Sequence, residues 1–109
     1  MGLFDKSDPA VRTTYDRLLL RVRRIGPVDA EQNKASIHLK GRATFADVRP
    51  LRSRLDLSIV SDAPIADPRV TKRDKISSSR YHNIVPISSP HDIDAQLLEW
   101  LKRAYELVS

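Results

Sequence analysis

Between Ile37 and Ser61, apolar and polar residues alternate at both ends of the stretch, interrupted at Gly41 and again near Pro50. Successive strand side chains point to opposite faces, so a period of two places one face in a core and the other in water. Glycine and proline at the interruptions supply turns. The stretch therefore predicts a small antiparallel sheet. Its polar side is strongly positive, with five basic residues against two acidic ones.

A helix is expected on each flank. Asp8-Pro9 pairs an N-cap residue with proline at the first helical position. Val11, Tyr15, Leu18, Leu19, Val22 and Ile25 then recur at helical spacing, and Gly26-Pro27 ends the pattern. Arg17, Arg21 and Arg24 stack on the opposite side. The second helix starts at Ser89-Pro90-His91-Asp92, where Ser89 and Asp92 have capping-box spacing. Ile93, Leu97, Leu101, Ala104, Tyr105 and Val108 form its buried stripe. Residues 1–7 read as a flexible tail.

Four strands are predicted between the helices. Ala35, Ile37 and Leu39 alternate with Ser36, His38 and Lys40 in the first. Ala43 to Arg49 make the second, where Phe45 points one way and Ala46 and Val48 the other; cover on both faces or a bulge fits that pattern. Leu55, Leu57 and Ile59 mark the third. Tyr81 to Ile87 form the fourth, with Pro86 at an edge or exit position. Val28 to Asn33 reads as a polar connection and residues 61–79 as a long loop, a feature that is usually functional or mobile. The expected architecture is one α+β domain over residues 1–109, of two layers. A four-stranded, mainly antiparallel sheet carries both terminal helices on one face, in the order α-β-β-β-β-α.

The chemistry-bearing residues exclude more than they select. With no cysteine, there is no disulfide, thiolate nucleophile or thiolate metal site. His38, His82 and His91 lack the four-residue pairing on one helix that metal sites often use, so no metal and no cofactor are expected. The acid pair and lysine of a metal-dependent nuclease core do not occur at the required spacing on the strands. Three glycines are too few for a phosphate cradle. The expected activity is binding without catalysis. No apolar run approaches the roughly 20 residues that span a bilayer, and the N-terminus lacks the order of a secretory signal, so a cytoplasmic protein is expected.

The net charge of +5 rests on 13 arginines and 6 lysines, and arginine is the side chain that forks onto phosphate. From Lys34 to Leu55 there are six basic residues and one acid, and from Arg69 to His82 five and one. A solvated face is the plainer reading of such runs. Uneven charge is also the footprint of a phosphate-binding face. The leading expectation is a site for nucleic acid or another polyanion made by Arg42, Arg49, Arg52, Arg54 and Arg80, with His82 assisting. The alternatives are a protein-interaction or homodimerisation domain anchored by Trp100, which lies off the buried stripe, and a small anionic-ligand pocket between the sheet and the 61–79 loop.

At Arg42-x-x-Phe45-Ala46-Asp47-Val48-x-Pro50, Leu55-Asp56-Leu57, Arg80-Tyr81-His82 and Trp100-Leu101-x-x-Ala104-Tyr105-Glu106, the chain resembles a bacterial family catalogued as a domain of unknown function. That family occurs as a small stand-alone protein and at the C-terminal end of longer ones. Some of these are labelled predicted transport proteins and some have nuclease-like N-terminal regions. The resemblance covers nearly the whole chain and implies the α+β fold without an activity.

Overall fold

The computed structural model describes residues 2–109. Helix α1 spans Pro9–Val22 and α2 spans Ala95–Leu107. Six strands lie between them: β1 Asp29–Gln32, β2 Ile37–Lys40, β3 Thr44–Pro50, β4 Leu55–Ser61, β5 Lys72–Ser77 and β6 Arg80–Ile87. They form one antiparallel sheet in the order β1-β2-β3-β4-β6-β5. The fold is α+β as expected, but the sheet has six strands rather than four.

The two additional strands are both edges. β1 falls in the stretch read as a polar connection, and β5 in the stretch read as a loop. Neither alternates in burial, because an edge strand is held by ladder bonds on one side and leaves its side chains in water. The charged sequence Lys72-Arg73-Asp74-Lys75 is also how exposed edges avoid pairing with other chains. Hydrophobic periodicity cannot reveal such strands. Pro86 lies past Ile84, the last β6 residue that pairs with β5, so its missing N–H interrupts no ladder.

A bulge occurs where the sequence pattern broke. Leu39 pairs with Ala46 and Lys40 with Thr44, leaving Phe45 as the extra residue. Phe45 and Ala46 are therefore both buried, and the Phe45 ring meets Tyr105 edge-on at 5.3 Å between centroids.

The helices cover one face of the sheet. Val11, Tyr15, Leu18 and Val22 of α1 and Leu97, Leu101 and Ala104 of α2 join a single core with Leu39, Val48, Leu57 and Val85. Leu3 and Phe4 also pack against this core, Phe4 beside Tyr15. Both helix starts differ from expectation in detail. Asp8 is the N-cap of α1, yet its side chain caps no amide; its backbone N–H instead donates to the Arg52 carbonyl at 2.8 Å. The Ser89/Asp92 capping box is present, but it closes a 3₁₀ turn at Pro90–Asp92. Asp94 caps α2 itself, its carboxylate accepting the Leu97 amide at 3.0 Å.

One connection follows from the sheet order. β4 and β5 both pair antiparallel with β6, so they run in the same direction. The chain leaving β4 at Ser61 must return along the sheet before β5 can begin, and parallel strands need such a crossover. Residues 62–71 make it without a helix, running alongside α2. Their backbone groups must find partners elsewhere.

Candidate functional site: a cationic groove at one end of the sheet

Arg42 sits in the β2–β3 turn, while Arg52 and Arg54 sit in the β3–β4 turn beside Arg49. Register separates them. Pro50 pairs with Leu55 and Leu55 with Ile87, whereas Ser61 pairs with Tyr81, next to Arg80. Arg42 and Arg80 are thus at one end of the sheet and Arg49, Arg52 and Arg54 at the other, about 20 Å away at the rise of a strand. The two sets do not converge. His82 is interior to the sheet, opposite Val60 on one side and Asp74 on the other.

Arg49 and Arg52 instead join cations that are remote in sequence. An open groove of about 1100 Å³ is lined by Lys6, Lys34, Arg49 and Arg52. The N-terminal turn is stitched to the β3–β4 turn: the Ser7 hydroxyl donates to the Leu51 carbonyl at 2.7 Å, next to the Asp8–Arg52 bond. Among the described residues, none of these four cations is within ion-pair distance of a carboxylate. Asp5 and Asp8 also line the groove, and the Asp5 carboxylate accepts the Gly2 amide at 2.8 Å. Arg54 is not part of the lining and pairs with Asp56 at 3.0 Å. Lys34 entered the sequence reading only as the start of a basic run, and sheet register brings it to Arg49, since Ile37 pairs with Val48; Lys6 was not singled out, because only the folded N-terminal turn brings it there.

The face of the sheet away from the helices is mixed in charge, not basic. In register across it run Glu31, His38, Asp47 and Ser58. Lys40 is 3.2 Å from Glu31 and Lys72 is 3.8 Å from Asp74, so charges there pair with one another. Asp47 Oδ1 is closed off from solvent, and His38 Nε2 is 3.2 Å away. The carboxylate is hydrogen-bonded when that nitrogen carries the proton. His91 follows the capping serine, its backbone N–H donating to Ser89 Oγ at 3.3 Å. No group of three potential metal ligands occurs among the described residues.

Trp100 is half-buried and lies beside the 61–67 segment, lining a second cavity of about 600 Å³. The Arg69 guanidinium is 5.8 Å from the indole centroid and bonds Asp94 and the Asp92 carbonyl. Arg73 donates to the Ile65 and Asp67 carbonyls. Two arginines of the second basic run therefore serve the crossover connection.

No helix among the described residues is long and apolar enough to cross a membrane. The family model described as Domain of unknown function (DUF5655) matches residues 2–108. No curated protein matches the chain, and no solved structure does.

Proposed function

For a chain that belongs to DUF5655, a family of domains of unknown function, we propose non-catalytic binding of nucleic acid by its phosphodiester backbone, in the groove between the N-terminal turn and the β3–β4 turn. The observation that carries this reading is the convergence of Lys6, Lys34, Arg49 and Arg52, from three separate segments, with no carboxylate pairing any of them. Unpaired cations hold exchangeable counter-ions and release them when phosphates take their place. The groove is open, as a polymer backbone requires. It has no aromatic platform or glycine clamp, so the contacts fit phosphate rather than base edges.

Salt dependence supplies the test. Four phosphates neutralised give a log–log slope of about −3.6 on duplex and about −2.8 on single strands. Labelled 20-nucleotide strands and duplexes titrated at two ionic strengths measure it. The double variant Arg49→Ala/Arg52→Ala should bring the duplex slope to about −1.8. Absence of binding at low salt, or an unchanged slope in that variant, refutes the assignment. A protein-interaction role anchored on Trp100 has less to stand on, since its ring is flanked by the 61–67 segment and by Arg69.

A further inference from the structure

We propose that the cavity between the crossover segment and α2 is a binding site for a small amine with an apolar or aromatic body, at a place separate from the phosphate-binding groove. Its volume of about 600 Å³ lies within the range of small-molecule pockets. Pro64 and Ile65 form one wall, and Trp100, Ala104 and Leu107 of α2 form the other. These side chains offer contact to a hydrocarbon or a ring, and Ser61, Asp62, Asp67 and Gln96 make the rest of the lining polar.

The walls are held before any ligand arrives. Asn83 is fully buried on the core-facing side of β6. Its Oδ1 accepts the Ile65 amide at 3.0 Å, and its Nδ2 donates to the Ile59 carbonyl at 3.0 Å and to Ser61 Oγ at 2.7 Å. A buried amide with those bonds fixes the far end of β4 to the middle of the connection. Arg73 holds the other side through the Ile65 carbonyl at 2.8 Å and the Asp67 carbonyl at 3.0 Å. A wall that is already ordered loses little freedom on binding, which favours affinity for a small ligand.

The charge of the lining selects a cation. Asp62 is exposed, with no hydrogen-bond or ion-pair partner among the described residues. The Asp67 carboxylate accepts the Arg69 backbone amide at 2.8 Å and the Gln96 amide at 3.1 Å, both neutral donors, and the cation beside it is Arg73, bonded to the Asp67 backbone carbonyl at 3.0 Å. The one basic lining residue, Arg103, is 3.2 Å from Glu99. With Arg103 set against Glu99 and Arg73 against Asp67, Asp62 leaves one carboxylate in excess beside the apolar side chains of a mixed lining, which favours an ammonium group over an anion.

Trp100 is the sole tryptophan and reports on the site directly. Titrating the full chain at pH 7 with 2-phenylethylamine, and separately with 2-phenylethanol and phenylacetate, reads the emission of Trp100. A saturable change with the amine, weaker with the alcohol and absent with the acid, supports the site. Asp62→Asn should weaken the amine about threefold, the scale of a solvent-facing charge pair. Ala63→Phe, an exposed wall position, should abolish the response without lowering the melting temperature. Equal responses to all three probes, a response to phenylacetate alone, no response at all, or wild-type amine binding by Ala63→Phe each overturns the proposal. Loss of nucleic-acid binding leaves this titration unaffected, so the two assignments fail independently.

Discussion

Gly41→Ala should destabilise the protein although neither the turn nor the backbone conformation demands glycine. No glycine among the described residues has a positive φ, so an alanine is conformationally acceptable at every one. Space is the obstacle. A Cβ on Gly41 would stand 2.6 Å from Cε2 and 3.0 Å from Cδ2 of Tyr105, and one on Gly26 would stand 2.6 Å from the hydroxyl and 2.9 Å from Cζ of the same ring. The α1–β1 and β2–β3 connections thus approach the two sides of one tyrosine, whose hydroxyl donates to the Pro27 carbonyl at 3.0 Å. The ring also meets Phe45 edge-on and cannot swing freely. Overpacking of this kind costs about 1–3 kcal/mol, or about 5–15 °C in melting temperature for a domain of this size. Tyr105→Phe distinguishes the two sites. It removes the atom nearest to Gly26 and leaves the ring edge against Gly41 in place. Denaturant unfolding of a double-mutant cycle should give a coupling of about 1 kcal/mol between Gly26→Ala and Tyr105→Phe. The coupling with Gly41→Ala should be below about 0.3 kcal/mol. Equal couplings, or a Gly41→Ala variant as stable as the wild type, would refute the packing argument.

Other perturbations test the capping and the crossover. The Asp94 carboxyl is held below its ordinary value of 3.8, first by the Leu97 amide and then by Arg69. Its contribution to stability is therefore full above the unfolded value and lost as pH falls through the folded one. Melting temperature followed downward from pH 5 should drop less steeply in Asp94→Asn than in the wild type, and parallel curves would discount the cap. Asn83→Ala leaves the Ile65 amide and the Ile59 carbonyl without their side-chain partner. Unfolding should register a loss of about 1–3 kcal/mol, and hydrogen exchange at Ile65 should quicken. An unchanged exchange rate there would show that the connection is held by other contacts. Burial is the leading cause of the raised Tyr15 pKa, opposed by Arg12 and Arg23. The raised value makes Tyr15 favour the folded state most below pH 10.0, with that advantage fading as pH rises through the folded value. Tyr15→Phe should show a shallower alkaline decline in melting temperature, and an identical decline would contradict it.

How much of this was legible in the sequence depended on what held each element. Helices α1 and α2 and strands β2, β3, β4 and β6 carry buried stripes, and burial leaves a period in the residues. Even the β3 bulge left its mark, as the adjacent apolar pair Phe45 and Ala46. β1 and β5 are fixed by backbone bonds to one neighbour, and their side chains record nothing of that. Thr14 was missed for a related reason: it is buried within α1, its hydroxyl satisfied by the Ala10 carbonyl at 2.9 Å, and polarity hid it. The same holds for Asn83, a polar residue on a core-facing strand position whose partners come from a segment some twenty residues away. The second basic run misled because Arg69 and Arg73 resemble their solvent-facing neighbours in sequence, yet they bond the crossover connection. No local pattern separates an arginine facing a phosphate from one facing its own backbone.

The division of the arginines between two ends follows from connectivity alone. In consecutive antiparallel strands, successive turns fall at opposite ends of the sheet, so the β2–β3 turn bearing Arg42 and the β3–β4 turn bearing Arg52 and Arg54 cannot be neighbours. Density of charge along residues 34–55 therefore overstates what any one surface receives. Arg80 returns to the Arg42 end because β6 runs antiparallel to β4. A compact anion can reach one set only. Engaging both requires a ligand about 20 Å long, or about six steps of duplex at 3.4 Å each. Short oligonucleotides should accordingly be blind to Arg42→Ala and Arg80→Ala, while a 20-nucleotide duplex loses affinity in both if it tracks the sheet from end to end. A short strand that weakens on Arg42→Ala would place its binding at the other end and remove the groove from consideration.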